Sequence, residues 1–235
     1  MEGAEQPKSA RGNVQDKVLS QLRYGLMSGL FVPGQVFSLR KLAAVFGTSA
    51  MPVRESLSRL IAANALEELP NRSVRVPRLG ARALEELFEL RARVEGLAAR
   101  IATDRIGAAG LQSLRDINQT LKDAHVRGAM GDVLKANRNF HFTLYGLTES
   151  SILLPMIEGL WLRSGPTMYF SLNSPGLWDT STHLEIIYAL EKKDPDAAEA
   201  AMRRDIMKSG QELIDQAKSG VRTGPIAELS DFGME

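Results

Sequence analysis

The stretch GLFVPGQVFSLRKLAAVFGTSAMPVRESLSRLIAANALEELPNRSVRV, residues 29–76, decides how the N-terminal third of the chain folds. Ser38 stands where a hydroxyl can cap a helix, and Leu39, Leu42, Ala43 and Phe46 follow at the i, i+3, i+4, i+7 spacing of one apolar stripe, with Gly47 as its stop. This leaves Arg40 and Lys41 pointing outward. After the Thr48–Ser49 link, Pro52 suits the first turn of a second helix that buries Val53, Leu57, Leu60 and Ile61 and leaves Arg54, Ser58 and Arg59 open. Two short helices joined by a few residues, the second opening with small polar and basic side chains, form the helix-turn-helix pattern, whose second helix enters a DNA major groove. Leu66–Leu69 and Val74–Val76 then flank Pro70-Asn71-Arg72-Ser73, which reads as a wing of two short strands around a turn. Arg72 at its tip and Arg75 beyond it are placed to touch phosphate or minor groove. Arginine donates bidentately to guanine, so Arg54 near the helix start is the base-reading candidate, and Arg40 is suited to the phosphate backbone. The bland alternative for Arg40, Arg54 and Arg59 is a solvated basic face; three on one motif favour the nucleic-acid reading.

Upstream, Val14, Val18, Leu22 and Leu26 repeat every four residues, which predicts an amphipathic helix ending near Ser28-Gly29, with Pro33-Gly34 turning the chain back. The opening MEGAEQPKSARGN has no apolar run and reads as a flexible arm instead of a signal peptide. Net charge is only +1, but it is divided: residues 1–80 carry 11 Lys and Arg against 6 Asp and Glu, and the rest carries 18 against 22. A basic module is thus joined to an acidic one, and only the docking face needs to be positive for phosphate binding. The absence of cysteine removes disulfides and thiolate chemistry and fits a reducing cytoplasm, and no apolar run reaches membrane-spanning length.

From Arg82 onward the chain has helical periodicity, broken near Gly128, Ser150, Ser171–Pro175 and Asp194-Pro195. The fold class expected is mostly α: a winged helix-turn-helix followed by an antiparallel helical bundle. Leu84, Leu87, Phe88, Val94, Ala98 and Ile101 form its first inner stripe, and Asp194 caps a last helix that starts at Pro195 and runs to about Lys218. Polar residues interrupt these apolar stripes. Asn137 and His141 are four apart between Leu134 and Leu144, His183 opens the stripe Ile186, Ile187 and Leu190, and Asp205 sits among Met202, Ile206 and Leu213. A lone inward histidine is commonly a hydrogen-bonded core residue. Two of them with a carboxylate and an amide from three helices point to a shared centre, because each otherwise carries a desolvation cost of roughly 1–3 kcal/mol. His125 lies in a polar stretch and reads as solvent-facing. Arg91, four residues before Glu95, is either half of an intrahelical ion pair or a clamp for a ligand carboxylate, and Arg163 in LWLRSGPTMY is a second clamp candidate. Trp161, Met168, Tyr169 and Phe170 read as core or pocket wall.

Residues 29–76 resemble the winged-helix signature of the GntR family of regulators almost throughout. The resemblance implies that Arg40 and Arg54 fall on family arginines that contact operator DNA, with Ser49 at a small hydroxyl position beside them. This chain departs from the family with Ala50-Met51 before Pro-Val-Arg-Glu and with Ser73 where the wing often has glycine, which bears on the operator sequence. FELRARVEGLAARIA (88–102), NRNFHFTL (137–144), THLEII (182–187) and AMRRDI (201–206) resemble the FadR-type, or FCD, helical sensor domain. In many of its members an Asp or Asn and three histidines hold a divalent metal beneath an effector pocket, often for an organic acid. Asn137, His141 and His183 match three of these positions, and Asp205 replaces the last histidine. This donor set suits zinc, nickel, manganese or iron.

The expectation is therefore a cytoplasmic homodimeric regulator, most simply a repressor, that binds a pseudo-palindromic operator and answers to an organic acid. Residues 1–10 would be an arm, 11–79 the DNA-binding domain, 82–220 the effector-binding and dimerisation domain with Arg91, Arg163, Asn137 and His183 lining its pocket, and 221–235 a tail. Two readings compete with it. Two histidines and a carboxylate also form the facial arrangement of nonhaem iron oxygenases, which would make the chain a metal-dependent enzyme. Alternatively, the polar centre is purely structural.

Overall fold

A computed structural model of the chain describes residues 10–173 and 180–220. The expected C-terminal tail and all but the last residue of the expected N-terminal arm lie outside them, as does the later part of the break placed at 171–175.

Helix α1 (Ala10–Met27) is followed by strand β1 (Val36–Phe37), helices α2 (Leu39–Val45) and α3 (Ala50–Ala62), and strands β2 (Glu67–Glu68) and β3 (Val74–Arg75). Ser38 caps α2 by accepting the Lys41 N–H at 3.4 Å, and Gly47, at φ 58°, takes the left-handed conformation that ends it. The sheet has the antiparallel order β1-β3-β2, with Arg75 opposite both Val36 and Glu67. Strand β1 is not anticipated by periodicity, because a two-residue strand shows no alternation. At the wing tip it is Arg72, at φ 61°, that adopts the left-handed conformation, while the Asn71 carboxamide oxygen accepts from the Ser73 N–H at 3.1 Å. The turn is thus closed by an Asx interaction instead of a glycine. Val18, Leu22, Leu26, Phe31, Phe37, Leu42, Val53, Leu57 and Leu60 form the core of this head.

The bundle consists of α4 (Ala81–Arg105), α5 (Ala108–Val126), α6 (Met130–Gly146), α7 (Leu153–Ser164), a single 3-10 turn at Gly165–Thr167, α8 (Met168–Leu172), α9 (Ser181–Glu191) and α10 (Pro195–Lys218). Asp194 caps α10 through the Ala197 N–H at 3.0 Å, with Pro195 in the first turn. The break between α4 and α5 at Ile106-Gly107 carries no strong turn signal and is not foreseen in the sequence. Helix α10 packs along α4, α6 along α5, and α9 against α10, so α4, α6, α9 and α10 enclose the bundle centre. Of the first stripe, Leu84, Leu87, Phe88 and Ala98 are buried, and Val94 and Ile101 are half-buried.

Head and bundle share a seam. Helix α1 packs on α7 and on the 3-10 turn, Arg23 pairs with Glu158 at 2.7 Å, and the Arg138 guanidinium lies 5.0 Å from the centre of the Tyr24 ring. Among the described residues no helix is long and apolar enough to cross a membrane.

Candidate functional site

In the head, β1, α2, α3 and the wing surround an open cleft of about 1310 Å³ lined by Ser38, Lys41, Arg54, Ser58, Asn71 and Arg72. Helix geometry explains the convergence: α3 buries Val53, Leu57 and Leu60 and so turns Arg54 and Ser58 to the opposite, exposed side. Arg40 and Ser49 are exposed beside the cleft but do not line it. Ser49 precedes α3 in extended conformation without a side-chain capping bond, which leaves its hydroxyl available for another partner. Arg75 is placed differently. Its guanidinium pairs with Glu67 across β2 and β3 at 2.7 Å and serves the sheet.

In the bundle, His141 from α6, His183 from α9 and Asp205 from α10 are buried and present one ligand atom each within 4.8 Å of one another. Asn137, one turn before His141, lines the adjoining cavity with His183 and Asp205. His141 Nε2 lies 3.4 Å from Asp205 Oδ2, and His183 Nε2 lies 3.7 Å from Oδ1. The outer ring nitrogens are engaged elsewhere: His141 Nδ1 is 2.9 Å from the Tyr145 hydroxyl and His183 Nδ1 is 3.1 Å from Asn118 Oδ1. The His183 ring also stacks on Phe140, with centroids 3.9 Å apart and planes within 6°. Thr182 donates to Asp205 Oδ1 at 2.5 Å.

Burial pushes His141 down to about 3 against the opposing pull of Asp205, and it lowers His183 against the same pull. Burial alone would raise Asp205, but the charge of the two histidines when they are protonated, the Thr182 hydroxyl and Arg91 outweigh it and hold the carboxyl below its ordinary value. At neutral pH the centre therefore consists of two neutral imidazoles and one carboxylate. Separations of 3.4 and 3.7 Å are too long for charge-assisted hydrogen bonds. They are close to the ~3.3–3.4 Å edge between two donors bound tetrahedrally at ~2.0–2.1 Å. The donor set fits a divalent cation, and its widest pair, within 4.8 Å, would draw together by up to ~1.5 Å around one.

Residues 86–207 match the FCD domain family, and residues 14–76 match the bacterial regulatory proteins of the gntR family. The chain belongs to the GntR family and carries an FCD domain. It is 29% identical over 184 residues to the HTH-type transcriptional regulator McbR of Escherichia coli K12, covering 77% of this chain and 83% of that one. It is 25% identical to the HTH-type transcriptional repressor RspR of the same organism, over 85% of this chain and 89% of RspR. The solved structure of E. coli McbR/YncC superposes with a TM-score of 0.77 at 27% identity, covering 89% of this chain and 99% of that one. A GntR regulator from Rhodococcus sp. RHA1, at 21% identity, has a TM-score of 0.69 over 89% of this chain and all of that one, and shares the fold. As a GntR-family member the protein is a transcriptional regulator and not an enzyme, and its two-histidine, one-carboxylate centre lies in the FCD domain.

The GntR head thus gathers Lys41, Arg54, Ser58 and Arg72 around one cleft, and the FCD bundle gathers Asn137, His141, His183 and Asp205 around one centre. Arg91 lies one layer behind: buried, it donates to Glu95 through Nε at 2.6 Å and Nη2 at 3.2 Å, and its carbon Cζ lies 4.7 Å from the centre of the Trp161 ring. Arg163 is exposed in the last turn of α7 and does not line the cavity. Sequence reasoning did not find Tyr145, Asn118 or Thr182. Tyr145 does sit four residues after His141, on the same helical face, and that spacing was the available signal.

Proposed function

We propose that the protein is a ligand-responsive repressor. On this reading its helical domain holds a divalent cation with Asn137, His141, His183 and Asp205 and takes a small organic acid beside it. The observation that carries this reading is the convergence of two imidazole Nε2 atoms and a carboxylate in a buried centre of net negative charge. A bound cation would neutralise that charge and supply a Lewis-acidic anchor for a ligand carboxylate. Asn137 and His183 face the space the ligand would enter, with Lys208 also on the wall. The repressor sign follows RspR, which bears that name. Operator binding by Arg40, Lys41, Ser49, Arg54, Ser58 and Arg72 in a homodimer fits a pseudo-palindrome. Exposed Leu90 and Leu97, seven apart on α4, and Ile152 and Met156, at the N-cap and in the first turn of α7, offer apolar surface to a second copy.

The response follows from size. The cavity beside the centre measures about 40 Å³, room for roughly one water molecule, so an organic acid enters only by moving its walls. Ser171 and Leu172 of α8 are two of these walls, and α8 continues directly from the 3-10 turn that abuts α1. Displacing α8 would therefore tilt the DNA-reading head. Linkage then requires operator DNA to weaken effector binding by the factor by which effector weakens operator binding.

Elemental analysis of the purified protein tests this reading, together with thermal unfolding before and after chelation and a screen of small organic acids against each form. The expected result is near-stoichiometric metal and an acid-induced rise in melting temperature that chelation abolishes. Acid stabilisation without metal would move attention to Arg91 and Lys208, and indifference to both acids and chelator would leave a purely structural polar core.

A further inference from the structure

Glu95 is fully buried and collects four donors. Arg91 donates from Nε at 2.6 Å and Nη2 at 3.2 Å, Trp161 donates from Nε1 at 3.0 Å, and the Tyr145 hydroxyl makes a short hydrogen bond to Oε2. An ion-paired carboxylate has no proton to give, so the single Tyr145 proton is committed to Glu95. Toward His141 the Tyr145 oxygen then offers only lone pairs. At 2.9 Å the proton of that contact has to come from the ring, on Nδ1. His183 meets the same condition by another route, because Asn118 presents its carboxamide oxygen, an acceptor, to Nδ1 at 3.1 Å.

We infer that Tyr145, backed by Glu95, is a positioning residue that holds His141 in the Nδ1–H tautomer, and that Asn118 does the same for His183. Both Nε2 lone pairs are thereby turned on Asp205. Imidazole side chains in water favour the opposite, Nε2–H tautomer, which would put a proton where a cation has to bind. The Glu95–Tyr145–His141 relay sets the electronic state of the centre before any ligand arrives, and partners of this kind contribute to a ligand's affinity without touching it. Trp161 shares the Glu95 carboxylate but makes no hydrogen bond to either imidazole, so it belongs to the support of Glu95 and not to the relay.

The inference rests on the proposed cation site for its consequence, though not for its geometry, and one set of variants separates the two. Long-range 15N–1H correlation spectra of the metal-free full-length protein read the tautomer of each histidine directly, and titration with zinc reads its effect. In the wild type, His141 and His183 should both show the Nδ1–H pattern. Tyr145→Phe keeps the ring and its packing and removes only the hydroxyl. It should release His141 into a mixture containing Nε2–H and weaken zinc about 10–100-fold, with His183 unchanged. Asn118→Leu should do the same to His183 alone. Trp161→Phe, which removes a donor from Glu95 but leaves the Tyr145 hydroxyl in place, should lower the melting temperature while keeping both imidazoles in the Nδ1–H pattern. Failure of the wild type to bind zinc would remove the cation site, and the spectra would still decide the relay. A wild-type Nε2–H pattern at His141, or a Tyr145→Phe protein with unaltered pattern, overturns the inference.

Discussion

A Cβ added to Gly165 would lie 2.8 Å from the Cα of Met27, so the helical bundle and the first helix of the DNA-binding head meet backbone to backbone. From the other side, a Cβ on Gly29 would lie 3.0 Å from the Gly165 carbonyl oxygen and 3.1 Å from Leu134. Gly165 has ordinary helical dihedrals, φ −50° and ψ −44°, so its substitution is opposed by space alone and not by backbone conformation. Gly165→Ala is therefore expected to force the seam apart at a cost of about 1–3 kcal/mol. Calorimetry should show a lower melting temperature and a head that melts separately from the bundle. A single unfolding transition at the wild-type temperature would mean the seam absorbs a methyl group and transmits little.

On the proposed operator face, base reading and phosphate contact should be separable. Arg54→Ala should weaken binding to a DNA site selected by the wild type by about 1–3 kcal/mol, roughly 5- to 150-fold, while binding to random duplex changes little. Arg72→Ala should instead weaken both and reduce the salt slope by about one. Arg75→Gln should leave that slope in place, because this guanidinium is committed to Glu67. Competition binding at several salt concentrations reads all three, and an Arg54→Ala protein that retains its sequence preference would end the assignment of Arg54 as base reader.

His141→Ala removes one ligand from the centre and leaves the operator cleft untouched. It should abolish metal uptake and lower thermal stability by about 1–3 kcal/mol through the vacated, newly unpaired space. Operator affinity should stay within a few-fold of the wild type. Loss of operator binding by a folded protein would contradict the proposed division of labour between head and bundle.

How far the chain was legible depended on the range of the interaction. The i, i+3, i+4 stripes of α2 and α3 and the capping signal at Asp194-Pro195 are local, so the head and the last helix could be read directly. Asn137 and His141 were found because polar side chains on an apolar face are conspicuous, and His183 and Asp205 for the same reason. What periodicity cannot state is which arginine has a partner across space. Arg72 and Arg75 look alike in the sequence, but only Arg75 faces an acid across the sheet. Arg91 and Arg163 both sit in apolar text, but α4 turns Arg91 inward onto Glu95 and α7 turns Arg163 outward. The Glu95–Tyr145 contact joins residues on different helices, 50 positions apart, which no window along the chain reports.

Asp205 offers the sharpest test, because metal binding and a purely structural core predict opposite signs for one isosteric change. In the metal-free protein the carboxylate faces two imidazole lone pairs at 3.4 and 3.7 Å, three acceptors with no proton between them. Asp205→Asn keeps the shape and the acceptor for Thr182, whose hydroxyl now donates to Oδ1 at 2.5 Å, and puts an amide donor where Oδ2 confronts His141. The metal-free variant should therefore gain about 1 kcal/mol, seen as a melting temperature higher by roughly 2–4 °C. The same substitution removes the anionic ligand, so zinc affinity should fall by more than the ~10–100-fold that outer partners contribute. Stability sacrificed for binding is characteristic of a functional site. If the histidines instead donated Nε2–H protons to Asp205 as a structural triad, Asp205→Asn would break charge-assisted bonds and lower the melting temperature. Thermal unfolding of the chelated wild type and variant, with zinc titrations of both, distinguishes the two arrangements by the sign of one shift.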